Sequence, residues 1–144
     1  MTLKPADPAS QLDGGLLVWL LGKPHRPNLL VECSADHLGP VVGQLLRSGA
    51  APARRCALPG ELRLPEAPGG TLVLENATAL TLVQQRALHE WLGRCHGSVQ
   101  VVSVVTEPAL EAVRRGRFLE DLYYRLNVVR MDVPGTPGSS TRAH

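Results

Sequence analysis

The sequence predicts an α/β fold, a three-layer α/β/α sandwich in which helices cover both faces of a mainly parallel sheet. Three observations carry this reading. Short apolar runs recur at Asn28–Cys33 (NLLVEC), Thr71–Asn76 (TLVLEN), Val99–Val105 (VQVVSVV) and Asn127–Val133 (NVVRMDV). They lack the in-out alternation of a half-exposed strand, as parallel strands buried on both faces do. The stretches between them carry helical spacing, and the order strand, helix, strand, helix, strand is that of right-handed crossover units.

Each element can be justified in order. Residues 1–13 (MTLKPADPASQLD) are polar and broken by proline, and read as a flexible N-terminal arm. The run Leu16–Leu21 (LLVWLL) is either a helix packed on the sheet or an antiparallel edge strand. Only GKPHRP joins it to the next strand, which is too short for a parallel crossover, and the helix is favoured. After the first strand, Leu38–Gly49 (LGPVVGQLLRSG) can hold a short helix, and residues 50–70 read as a Pro/Gly-rich connection. Thr81–Arg94 opens with Thr81 and, three residues on, Gln84, the spacing of a capping box. Its apolar positions Val83, Ala87, Leu88, Trp91 and Leu92 are expected on one helical face. Glu107–Gly116 (EPALEAVRRG) has proline near its start and glycine at its end, the expected helical asymmetry. Phe118, Leu122 and Leu126 repeat at every fourth position of FLEDLYYRL. Residues 14–134 form the expected domain, and residues 135–144 (GTPGSSTRAH) a disordered tail.

Composition narrows the function classes. The 144 residues suffice for one domain with a real core, 44 % of them are apolar, and aromatics are only 3 %, so leucine, valine and alanine must fill it. A net charge of +2 with no basic cluster interleaved with aromatics gives no electrostatic case for nucleic acid, and no helix-turn-helix reader is legible. No run spans a bilayer and no signal-peptide order opens the chain, so a cytoplasmic protein with no membrane role is expected. Cys33, Cys56 and Cys95 share no metal or redox spacing and read as reduced thiols. His89, Cys95 and His96 are too few and too close for a closed zinc site and read as helix-end surface residues, so no metal is expected.

The segment Gly116–Val129 (GRFLEDLYYRLNVV) closely resembles the signature late in the ATPase domain of sigma-54-dependent transcription activators, the bacterial enhancer-binding branch of the AAA+ ATPases. GGTLVLENATALTLVQQRALHEWL is similar to that family's G-G-T-L-F-L-D-E-I-G-E-L-P-L-x-x-Q-x-x-L-L-x-x-L, VQVVSVVTEPAL to V-R-V-I-A-A-T-N-R-D-L, and RPNLLVECSADHL to R-P-F-V-A-V-N-C-A-A-L. The blocks run in the family's order from Arg26 to Val133. The resemblance implies an AAA+, P-loop NTPase-like core, ATP and Mg²⁺ as family cofactors, and a role in bacterial transcription.

The family's chemical positions map unevenly. No Gly-x-x-x-x-Gly-Lys phosphate loop is present, and the one Gly-Lys pair, Gly22-Lys23, runs into Pro24, which has no N–H to offer a phosphate. The carboxylates that hold Mg²⁺ and activate water in the family correspond to Glu75 and Asn76, and Asn76 cannot accept a proton as a carboxylate does. Thr106 stands at the family's phosphate-sensing asparagine and could equally cap the helix that follows. Of two arginines that reach a neighbouring subunit's nucleotide, the first is Leu119 here and the second is kept as Arg125. Arg125 could instead pair with Glu120 or Asp121. Gly49–Arg54 (GAAPAR) falls where the family's sigma-contacting loop is expected and lacks its aromatic and threonine, and Gly135 follows where the helical lid would begin.

The reading is therefore a degenerate domain of this type without bound cofactor, acting through protein contacts. Its partner would be an active AAA+ activator or sigma-54 RNA polymerase, and it could form homo- or hetero-oligomers. The alternatives are a scaffold unrelated to transcription and an ATP-dependent activator with a non-standard site.

Overall fold

The computed structural model describes residues 27–95 and 97–133. The arm over residues 1–13, the Leu16–Leu21 run, Gly22-Lys23, His96 and the tail over residues 135–144 lie outside the described residues. Five strands form a single sheet: β1 Leu29–Glu32, β2 Ala53–Ala57, β3 Thr71–Glu75, β4 Gln100–Val105 and β5 Val129–Asp132. Their spatial order is β2-β3-β4-β1-β5, and every neighbouring pair is parallel. Four helices are α1 Leu38–Ser48, α2 Leu82–Cys95, α3 Ala109–Arg114 and α4 Glu120–Leu126, with short 3-10 turns at Ala35–His37 and Ala77–Ala79.

The predicted three layers are present. On one face α1 buries Val41, Val42 and Leu45 against Leu29, Val31, Val73, Val102, Val104 and Met131. On the other, α2, α3 and α4 cover Leu30, Leu72, Leu74, Val101 and Val105 with Leu88, Trp91, Leu92, Ala109, Ala112, Phe118, Leu122 and Leu126. Register explains the apolar runs: Val31 lies between Val104 and Met131, and Val73 beside Val102, so β-branched and aliphatic side chains stack along the face that α1 covers.

Two expectations need correction. The 50–70 segment is not merely a connection, because it contains edge strand β2. Only Cys56 of that strand is buried while Arg54 and Arg55 are exposed, so it carries no apolar signature and is held by its backbone ladder to β3. The core-facing side of α2 is also turned from the predicted one. Val83 is 76 % exposed and Ala87 is exposed, while Gln85 is buried with Leu88, Trp91 and Leu92. The capping box itself forms as expected: the Gln84 N–H donates to the Thr81 hydroxyl at 3.1 Å, and the Thr81 N–H donates to the Gln84 side-chain oxygen at 3.0 Å. Among the described residues no helix is long and apolar enough to cross a membrane.

Candidate functional site

The chain leaves β1 toward α1 on one face and leaves β4 toward α3 on the other. β1 and β4 are adjacent, so their carboxyl ends flank the crevice where ligands bind in open α/β sheets. Three chain segments meet there: Glu32 to Gly39 after β1, Glu75-Asn76 after β3, and Thr106 to Pro108 after β4.

The first of these is where a phosphate loop would be built, between a strand and a helix N-terminus. It reads E-C-S-A-D-H-L-G and contains no lysine. The β1–β4 ladder runs on into it, with the Cys33 N–H donating to the Val105 carbonyl at 3.0 Å. The chain then closes on itself as the His37 N–H donates to the Ser34 carbonyl, and Pro40, in the first turn of α1, has no N–H. Burial pushes the Cys33 thiol up to about 11, so it stays a protonated, packed group.

Three carboxylates at this end, Glu75, Glu32 and Glu107, are already engaged. The Arg55 Nε donates to the Glu75 carboxylate at 2.6 Å from the neighbouring strand. Glu32 accepts from the Ala109 N–H at 3.4 Å and from Arg130 at 3.1 Å. Glu107 accepts from both terminal nitrogens of Arg117, at 2.8 and 3.4 Å, and is also bonded by Thr78. The Arg117 hydrogen bond, more than charge alone, holds the Glu107 carboxyl below its usual range.

Asn76 sits in the left-handed backbone region, φ +67°, where asparagine is tolerated far better than most side chains. Its N–H donates to the Val104 carbonyl at 2.8 Å and its side-chain amide to the Leu58 carbonyl at 3.3 Å. Its amide is thus spent on tying the end of β3 to β4 and to the segment after β2. Thr106 is half-buried at the end of β4, but α3 starts from Pro108 with no side-chain cap, so the capping role does not hold.

The structure brings Glu75, Asn76 and Thr106 to one end of the sheet and Arg125 to the other. Arg125 occupies the last turn of α4, and its carbonyl accepts from Asn28, just ahead of β1, at 3.0 Å. The pair with Glu120 or Asp121 is not formed, and among the described residues the Arg125 guanidinium makes no ion pair. Gly49–Arg54 is not a protruding loop: Gly49 caps α1, and Ala53 and Arg54 begin β2. Among the described residues no group of three metal-binding side chains gathers.

One residue that sequence reasoning passed over organises this region. Gln85 is buried on α2; its amide nitrogen donates to the Leu80 and Arg117 carbonyls, each at 3.0 Å, and its oxygen accepts from the Leu119 N–H at 2.8 Å. It ties α2 to the turn that enters α4. The signal was present as the lone fixed Q of the family text, which aligns with Gln85.

Packing and hydrogen bonds also occupy much of Gly116–Val129, the segment that resembles the family signature. Gly116 takes φ +75°, Phe118, Leu122, Tyr123 and Leu126 are buried, and the Asn127 side chain donates to the Tyr123 hydroxyl at 2.9 Å. These positions have packing or hydrogen-bonding reasons of their own, whereas Glu120, Asp121, Tyr124, Arg125 and Val128 are exposed.

With this geometry in hand, comparison with known proteins is informative. A family model described as the sigma-54 interaction domain matches residues 52–136. The transcriptional regulatory protein ZraR of Escherichia coli K12 is 42 % identical over 85 residues, 51 % of this chain and 19 % of that protein. ZraR of Klebsiella oxytoca is 35 % identical over 125 residues, and the response regulator PilR of Pseudomonas aeruginosa 33 % over 125. Each of these two matches covers 76 % of this chain and 27 % of the relative. The chain therefore spans about a quarter or less of the length of these relatives. Among solved structures, NtrX from Brucella abortus in complex with ADP superposes with a TM-score of 0.69 at 17 % identity, over 92 % of this chain and 37 % of that one. The P-loop NTPase domain of a sigma-54 activator from E. coli gives 0.55 at 19 % identity, over 81 % of this chain and 96 % of that one. These structural likenesses concern the fold.

Proposed function

The chain belongs to the sigma-54 interaction domain family of transcription regulators, with an AAA+ type α/β fold, and on that premise we propose that it acts in transcription through protein contacts, without hydrolysing ATP. The observation that carries this reading is the state of Glu75 and Asn76. A hydrolytic site needs one carboxylate free for Mg²⁺ and a second group that accepts or orients the proton of the attacking water. Here the first is bonded to Arg55, and the second is an amide committed to the Leu58 carbonyl. The connection after β1 offers no lysine, and Gly-x-x-x-x-Gly-Lys occurs nowhere in the chain. These residues do not fit a bound Mg-nucleotide, and we derive no step through one.

What remains for a partner is shape and surface. An active AAA+ activator ATPase or sigma-54 RNA polymerase is the partner this reading names, met in the cytoplasm, with self-association as a further mode and no direct contact to DNA. The test is phosphate release by the full chain with Mg-ATP, alone and with an active sigma-54 activator ATPase. The expected result is background release from the chain alone and a dose-dependent change in the activator's rate when the two are mixed. Release above background from the chain alone, lost in Glu75→Ala, contradicts the reading.

A further inference from the structure

The outer edge of β2 is a surface apart from the crevice at the strand ends. Two hydrogen bonds fix which residues make the ladder to β3: the Thr71 N–H donates to the Pro52 carbonyl at 3.0 Å, and the Leu58 N–H donates to the Glu75 carbonyl at 2.9 Å. In a parallel ladder both backbone groups of a residue turn to the same neighbour, and alternate residues turn the other way. The even-numbered residues of β2 therefore face β3, and the N–H groups of Ala53, Arg55 and Ala57 and the C=O groups of Ala53 and Arg55 point away from the sheet, while the Ala57 C=O lies against Gly60 in the bend that follows. Among the described residues no strand covers that side.

The two edges of the sheet differ in charge. On β5 Arg130 is neutralised by Glu32 and Asp132. On β2 Arg54 is exposed and makes no ion pair among the described residues. A groove of about 520 Å³ runs beside it, lined by Arg54, Arg55 and Arg63 against the single carboxylate of Glu66. Arg63 is engaged only by Glu61 in a fully solvated pair, which a competing carboxylate displaces at little cost.

We propose that this edge takes up an extended acidic segment of a partner protein as a sixth strand, its backbone pairing with Ala53, Arg55 and Ala57 and its carboxylates meeting Arg54 and Arg63. A second copy of this chain is disfavoured, because edge-to-edge pairing would bring the uncompensated Arg54 of each copy toward that of the other. Single-stranded nucleic acid is disfavoured because the groove offers no aromatic platform for a base.

The experiment uses the ¹⁵N-labelled full chain and, as probe, a heptapeptide alternating valine and glutamate, with the valine–lysine counterpart and a thymidine oligonucleotide as controls. The acidic peptide is expected to shift the amide signals of Ala53, Arg55 and Ala57 and to slow their hydrogen exchange, while Arg54 and Cys56 are protected beforehand. Arg54→Glu is expected to weaken binding about two- to fivefold, the range of one exposed charge pair. Ala53→Pro removes one outward N–H at the first residue of the strand, where proline is tolerated, and is expected to weaken binding while leaving the circular dichroism spectrum unchanged. Should Ala53→Pro not fold, Arg54→Glu alone decides. Equal binding of the acidic and basic peptides, shifts that map away from β2, perturbation of the same amides by the oligonucleotide with the peptide silent, or concentration-dependent protection without peptide would each overturn the proposal.

Discussion

Gln85 shows how much one buried side chain holds. Replacing it with alanine leaves the Leu119 N–H and the Leu80 and Arg117 carbonyls without their partner, around a side chain that is itself buried. Gln85→Ala is expected to lower unfolding free energy by about 3 kcal/mol, read from urea denaturation. Asn76 makes a different kind of prediction. Both Asn76→Gly and Asn76→Ala lose the amide bond to the Leu58 carbonyl, but at φ +67° alanine carries a further backbone cost, so Asn76→Ala should fall below Asn76→Gly by about 1 kcal/mol in the same assay. Glu107 gives a pH test. Its folded pKa is depressed, chiefly by the Arg117 hydrogen bond, so its contribution is present above the unfolded carboxylate pKa and is lost as pH falls through the folded value. The melting-temperature gap between wild type and Glu107→Gln should hold steady from neutral pH down to the ordinary carboxylate range, then shrink on further acidification. At this scale the sequence marked Glu75 and Asn76 as chemically odd, but not why. Their partners Arg55 and Leu58 lie 20 and 18 residues away, beyond any local pattern.

Among the elements, those with a strong apolar period were legible and the one without it was not. β1, β3 and β4 lie within the predicted runs because their interior position leaves a nearly continuous aliphatic text, and edge strand β5 also lies within one although only Met131 of its four residues is buried. β2 escaped notice because an edge strand can spend its positions on arginine. The turn of α2 was misread because Val83 looks like a core residue and Gln85 does not. Only the tertiary demand of Leu119 and Arg117 for hydrogen bonds pulls the glutamine inward. In α4 the predicted spacing of Phe118, Leu122 and Leu126 does meet the core. Leu122→Ala is therefore expected to cost about 3 kcal/mol in denaturant unfolding, while Tyr124→Ala, 61 % exposed two residues along, should stay within about 0.5 kcal/mol.

For the molecule as a whole, the sheet order and the two-sided helical cover put the strand ends where an α/β protein binds a ligand, and arginines then fill that place from within. Glu75, Glu107 and Glu32, after β3, after β4 and at the end of β1, are each closed by a guanidinium from another part of the chain. The family fold is kept, and the groups facing the crevice hold one another. These contacts are the physical basis of the proposal that the domain acts in transcription without hydrolysing nucleotide. Isothermal titration of the full chain with Mg-ATP tests that claim most directly. The account predicts no heat beyond dilution across the micromolar range, and saturable, stoichiometric binding there would contradict it.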